Sequence, residues 1–376
     1  MKNGAKTFLA ALAAAFLAFA FKAQAVDYVG TNAPKTRVEV VFVLDTTGSM
    51  SNLIDGAKRK IWSIANSIID QNPNAYVRVG LAGYRDVGDD YIVRYYPLTD
   101  DMQGIYQKLL AFDANGGGDT PESVNEALDV AVTKMGWSAA DKKTIRVIFL
   151  VGDAPPHMDY KQDRKYQEVV AEARQRGIIV NAVQAGDLSS TQKIWREIAR
   201  LGGGDYIAIP QDGGRVIVIE TPYDEEIIVI QRKLNSTAII YGHAKQQEIA
   251  QNRLDSYASA PQSIAAETSK FVNKNSAGRG VITGGGDLIE DVSVGAKKLK
   301  DVPVKELPEN MQNMSAKQRE AFVAEQIKLR DALTKELAAA LAKRDAFIAK
   351  AASEKEPSGD SFDRAVARTL KKQVKE

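Results

Sequence analysis

The chain predicts an α/β fold over its first two thirds, with a doubly wound, mostly parallel sheet and helices on both faces. A mainly helical C-terminal extension follows. Three observations carry this expectation. Apolar and β-branched runs end the segments Val41-Phe42-Val43-Leu44 and Val147-Ile148-Phe149-Leu150-Val151, which suits strands buried on both faces. Strand-like and helix-like segments alternate from Arg37 to about Tyr241, the pattern that parallel crossovers need. Two strand ends, at Asp45 and at Gly152-Asp153, carry a carboxylate, and the carboxyl ends of such strands are where ligands sit.

Taken in order, the first helix follows Asp45. Ile54, Ala57, Ile61, Ile64, Ala65 and Ile68 form one apolar stripe at three- and four-residue spacing, and Pro73 marks the end. Val77 to Tyr84 reads as a second strand, Tyr91 to Tyr96 as a neighbouring edge strand, and Met102 to Phe112 as a helix. After Gly116-Gly117-Gly118, Thr120 is expected to cap a helix with Pro121 at its first position. Val124, Ala127, Leu128 and Ala131 form its buried face. Strand Arg146 to Val151 runs into Gly152-Asp153-Ala154-Pro155-Pro156, where the proline pair forces a turn. Helix Tyr166 to Arg176, strand Ile178 to Gln184, helix Thr191 to Leu201 and strand Tyr206 to Ile209 continue the alternation. Arg215 to Ile219 extends the sheet, and Tyr223 to Leu234 closes the domain as a helix.

The character then changes. His243 to Asn275 has sparse apolar positions and predicts helices that need a docking surface. Gly278 to Gly286 reads as a glycine-rich connection, with Gly284-Gly285-Gly286-Asp287 as a flexible linker. Ser315-Ala316-Lys317-Gln318 resembles a capping box opening a helix to about Ala352. Leu329, Leu333, Leu337 and Leu341 repeat every four residues, a spacing that drifts around a helix and indicates partial docking or a hairpin. A break at Glu354 to Ser361 precedes a basic amphipathic tail. The expected organisation is a leader at 1–25, an α/β domain at 36–241, a partly helical, glycine-rich connection at 242–314 and a helical extension at 315–376.

Lys2 and Lys6 precede the apolar run Phe8 to Phe21, and Ala23-Gln24-Ala25 has the small-x-small pattern of signal-peptide cleavage. The expected product starts near Val26, has no stable membrane span, and is secreted or periplasmic. The chain has no cysteine, which excludes disulfides, thiol catalysis and iron–sulfur clusters. Lys and Arg total 50 against 48 Asp and Glu, a balance that gives no electrostatic case for nucleic acid.

Three loops carry the same kind of chemistry. Asp45, Thr47 and Ser49 alternate along the first, with Gly48 expected to let the backbone turn; Thr120 stands on the second and Asp153 on the third. Hydroxyl and carboxylate oxygens suit a hard cation such as Mg²⁺. Any one of these loops alone would be an ordinary cap or turn. Together, Asp45-Thr46-Thr47-Gly48-Ser49, Gly118-Asp119-Thr120-Pro121 and Asp153 resemble a von Willebrand factor type A domain of the secreted bacterial kind. That family's metal-ion-dependent adhesion site has the motif D-x-S-x-S plus a distant Thr and Asp; here Thr47 replaces the first Ser. The resemblance implies that Thr47, Ser49 and Thr120 coordinate Mg²⁺, with Mn²⁺ or Ca²⁺ as alternatives. It implies that Asp45 and Asp153 act directly or through water. The implied function is an adhesion or binding module, not an enzyme, in which the ion captures a carboxylate of a protein or peptide partner.

A metal-dependent hydrolase and an anchored scaffold subunit of an envelope complex are the alternatives. Only His157 and His243 are available as nitrogen ligands, too few for a hydrolytic zinc site. His157 reads as a solvated loop residue, Asp119 as a turn residue, and Arg85-Asp86 as a structural ion pair. Gly284-Gly285-Gly286-Asp287 lacks the Lys-Ser/Thr ending of a phosphate loop. Asp224-Glu225-Glu226 reads as a helix's acidic first turn.

Overall fold

A computed structural model describes residues 36–72, 75–139, 141–214, 219–275, 280–354 and 361–374. The leader expected at 1–25 lies outside the described residues, as does nearly all of the strand expected at Arg215 to Ile219.

Six strands form one sheet in the order β3-β2-β1-β4-β5-β6. They are β1 (Arg37–Asp45), β2 (Tyr76–Tyr84), β3 (Val93–Thr99), β4 (Thr144–Gly152), β5 (Ile178–Ala185) and β6 (Gly203–Ile209). All neighbours are parallel except the edge strand β3, which runs antiparallel to β2. Successive strands step one way from β1 to β2 and the other way from β4 to β6. The reversal therefore falls between β1 and β4, and the crevice at their carboxyl ends is the place for a ligand.

Side chains alternate across the sheet and supply two cores. Val40, Phe42 and Leu44 face α1 (Ser51–Gln71) and α2 (Met102–Leu110), while Val41 and Val43 face α3 (Val124–Thr133), α4 (Tyr166–Gln175) and α5 (Ser189–Gly202). This burial on both faces explains the continuous apolar runs.

The remaining helices are α6 (Asp224–Asn235), α7 (Ala244–Ala258), α8 (Gln262–Asn275), α9 (Leu288–Ser293), α10 (Glu309–Gln312), α11 (Ala316–Glu354) and α12 (Phe362–Gln373). They do not form a detached appendage. Ile264, Phe271 and Val272 of α8 join the core beneath α1. Phe362, Ala365, Val366 and Leu370 of α12, with Val374, enter the same core against the sheet. The tail's amphipathic face is thus the lining of a sheet layer.

Several expectations are corrected. Residues 284–286 are not a flexible connection. The Gly285 carbonyl accepts from Arg253 Nη1 at 3.1 Å, the Gly286 carbonyl accepts from the Tyr241 N–H at 3.3 Å, and Asp287 caps α9. Helix α11 has its capping box, with the Ser315 N–H donating to Gln318 Oε1 at 2.8 Å, and it buries Leu333, Leu337 and Leu341. Leu329 stays 46% exposed, because three four-residue steps turn a helix about 120° past three full turns. Asp224 also does more than face the macrodipole: it is buried and accepts from Arg344 Nε at 2.8 Å. Among the described residues no helix is long and apolar enough to cross a membrane.

Candidate metal centre

The crevice between β1 and β4 opens into a pocket of about 340 Å³. Thr47, Ser49, Thr120 and Asp153 line it, together with Gly116, Gly117, Asp119, Glu122, Asp187 and Gln211. Asp45 lies at its base, fully buried, with Oδ1 accepting from the Thr47 N–H at 2.9 Å and the Thr47 hydroxyl at 2.6 Å. Four of the five residues singled out from the sequence therefore line one crevice, and the fifth, Asp45, is hydrogen-bonded to one of them.

Each loop is held by backbone pairing. The Thr46 N–H donates to the Tyr84 carbonyl at 2.9 Å, Gly48 N–H to Gly116 O at 3.2 Å, and Asn115 N–H to Thr46 O at 3.0 Å. Arg85, 1% exposed, ties the same loops: Nε donates to Thr46 O at 3.2 Å and Nη2 to Asp113 O at 2.9 Å. Its ionic partners are Asp90 and Asp113. Asp86 faces elsewhere, so the expected Arg85–Asp86 pair is replaced by a staple across two loops.

The conformational demand falls on Gly117 instead of Gly48. Gly117 has φ +75°, and an added Cβ would lie 2.9 Å from Thr47 Cβ, whereas one on Gly48 would meet only Gly116 O at 3.5 Å. Side chains rarely adopt that left-handed backbone. Thr120 does not cap a helix; Ser123 precedes α3 at the cap position, and the residues before it pair with the third loop. The Glu122 N–H donates to Pro155 O at 2.9 Å, and the His157 N–H donates to Glu122 O at 3.0 Å. This pairing leaves the Thr120 hydroxyl exposed in the pocket. Asp153 is set by Thr191, whose hydroxyl donates to its carbonyl at 2.9 Å, and by Gln211 Nε2, which donates to Oδ2 at 2.6 Å.

The electrostatics call for positive charge. Burial pushes the Asp45 carboxyl up to about 7; the Thr47 hydroxyl opposes this and the Asp153 charge adds to it. Burial also pushes Glu122 up to about 9, reinforced by Asp45, Asp86, Asp89 and Asp153. Asp45 Oδ2 and Glu122 Oε2 are buried without a hydrogen-bond partner, an expensive condition in a low-dielectric interior.

The donors fit a divalent ion. Thr47 Oγ1 and Ser49 Oγ lie 3.2 Å apart, close to the roughly 2.9 Å between adjacent oxygens around octahedral Mg²⁺. The donor set is entirely oxygen, and Asp45, whose Oδ2 has no partner, is bonded to it through Thr47. Glu122, Asp187 and Gln211 were missed in the sequence. Glu122 alone had a signal there, a carboxylate directly after the threonine loop.

Strand order defines a doubly wound α/β domain with an oxygen-lined crevice at its switch point. Residues 39–219 match the family model described as von Willebrand factor A domain, and the chain carries such a domain. It is 30% identical over 195 residues to von Willebrand factor A domain-containing protein 7 of Mus musculus, covering 50% of this chain and 20% of that protein. The Rattus norvegicus protein of the same name is 37% identical over 94 residues, covering 24% of this chain and 10% of that one. The chain thus spans a fifth or less of these relatives' lengths. The crystal structure of the SpRpn10 VWA domain superposes with TM-score 0.36 at 16% identity, covering 47% of this chain and 89% of that chain. The domain supports a role in protein interaction or adhesion, and domains of this family often bind a divalent metal.

Proposed function

We propose that the protein is an extracytoplasmic, metal-dependent binding or adhesion module in which Asp45, Thr47, Ser49, Thr120 and Asp153 hold Mg²⁺. The observation that carries this reading is the convergence of Thr47, Ser49, Thr120 and Asp153 on one open pocket, with the buried Asp45 carboxylate bonded to Thr47 through Oδ1 and its Oδ2 left without a partner. When bound, the ion supplies an electrophilic position that accepts an acidic side chain of a protein or peptide partner. The protein's own residues prepare that position. Thr47 fixes one oxygen of Asp45 and leaves the other free, Gln211 and Thr191 orient Asp153, and the Gly116–Gly117 turn brings the second loop against Thr47. The apparent leader at 1–25 supports export, the domain is taken as 36–241, and the segments at 242–314 and 315–376 are read as its docked extensions.

Affinity capture from the exported fraction, with and without chelator, tests the reading. Proteins retained by the wild type are expected to be lost on chelation and on Asp45→Ala. Retention that survives both treatments refutes metal-dependent capture.

A further inference from the structure

Beside the pocket, Asp86, Asp119 and His157 bring ligand atoms within 4.8 Å of one another. His157 is not the solvated residue its loop position suggests: it is 7% exposed and stacks on Tyr160, with centroids 4.0 Å apart and planes 7° apart. Its Nδ1 lies 2.8 Å from Asp159 Oδ1. Its Nε2 is buried without a hydrogen-bond partner, and Asp86 Oδ2 lies 3.3 Å away, out of line for an N–H donor. The ring lies between two carboxylates, and in the tautomer that donates Nδ1–H to Asp159 the Nε2 lone pair is left on the Asp86 side. In that tautomer two electron-rich atoms stand 3.3 Å apart and repel unless a cation, a second ring proton or a metal ion, lies between them.

We infer that Asp86, Asp119 and His157 form a second cation site, distinct from the five-oxygen site, which takes a divalent transition-metal ion of the Zn²⁺ class. One imidazole nitrogen with two carboxylates selects such an ion over Mg²⁺ or Ca²⁺, which prefer oxygen alone. The surroundings match a built metal site. A ligating histidine typically donates its other N–H to a carboxylate, and ligating carboxylates are themselves hydrogen-bonded. Here Asp159 holds His157. Asp86 Oδ1 accepts from the Ser123 hydroxyl at 2.8 Å, and Oδ2 accepts from the Tyr160 hydroxyl at 2.9 Å. The His157 carbonyl is fixed by Asn125 Nδ2 at 2.7 Å. Asp119 is exposed and lines the neighbouring pocket, so the ion has a path from solvent. The two sites share loops without sharing ligands: Asp119 precedes Thr120, and His157 follows Asp153.

The test uses the full-length Asp45→Ala protein, in which the first site has lost its buried carboxylate, with excess Mg²⁺ present. Calorimetric titration with Zn²⁺ is expected to give one-to-one binding, and Co²⁺ as a substitute is expected to show ligand-field absorption. Adding Asp119→Asn, at an exposed position that leaves the fold intact, is expected to weaken Zn²⁺ binding about tenfold or more, and His157→Gln likewise. Unchanged thermal unfolding of Asp119→Asn in chelator verifies that the loss is local. The inference is overturned if no Zn²⁺ binds, if Asp119→Asn binds as tightly as its parent, or if nitrogen-15 spectra show both His157 ring nitrogens protonated with Zn²⁺ present. None of these outcomes depends on whether the Mg²⁺ reading of the first site holds.

Discussion

Asp45 sits at the bottom of a crevice, cut off from water, with a second carboxylate nearby. Because burial raises its folded pKa from 3.8 to about 7, folding takes up a proton between those values. Protein kept in chelator is therefore expected to lose stability as pH rises from about 4 to about 7, and to change less above that window. Asp45→Asn removes the charge while preserving the shape. In chelator at pH 8 it is expected to be more stable than wild type by roughly 2–4 kcal/mol, while the stabilisation that Mg²⁺ gives the wild type disappears. Thermal unfolding across pH, with and without Mg²⁺, reads both effects. The alternation of Asp45, Thr47 and Ser49 was legible in the sequence because it is local. The roles of Glu122, Asp86 and His157 were not. They depend on the second and third loops pairing with each other across more than thirty residues of chain, roughly the separation of Glu122 from Pro156.

At the scale of elements, helical periodicity located the helices well and their partners poorly. The apolar stripe of α1 specified a face towards the sheet, yet α1 also carries Asn66 on another face, where Nδ2 donates to Glu267 Oε2 of α8 at 2.7 Å. Glu267 Oε1 accepts from Arg344 Nη1 of α11 at 2.8 Å, and Arg344 Nε donates to Asp224 of α6 at 2.8 Å. Four helices are thus joined through one buried guanidinium, 2% exposed. No pattern in a single segment announces such a network, since each member is an ordinary polar residue on its own helix. Arg344→Ala leaves Asp224 buried without its cation and is expected to cost about 3–5 kcal/mol. Arg344→Met, which preserves packing, still removes the pairing and is expected to retain part of that deficit. Urea unfolding of both variants measures the difference. A loss below about 1 kcal/mol for the alanine variant would mean that these helices dock by apolar contact alone.

At the scale of the molecule, the sheet's α1 face is completed by the far end of the chain. Helix α12 lays Phe362 near Phe42, ring centroids 6.4 Å apart, and buries Ala365, Val366 and Leu370 completely. The Phe362 N–H donates to Gly213 O at 3.0 Å, and Asn181 and Gln373 exchange amide hydrogen bonds of 3.1 and 2.8 Å. The sequence showed an amphipathic basic helix but not its destination, because amphipathicity states that a face will be covered without saying by what. Leu370→Ala is expected to destabilise the whole α/β domain by about 2–5 kcal/mol. Hydrogen exchange in β4 and β5 should accelerate with it; unchanged protection there would show that α12 is an independent appendage. This placement also gives the protein a clock. Ribosomes add about 5–20 residues per second, so the interval between finishing β6 at Ile209 and supplying Phe362 is on the order of 8–30 s. Throughout that interval α1 and α2 can cover only part of that face, the strip later filled by α12 stays open, and the emerging chain is open to capture by any factor that recognises unfinished proteins.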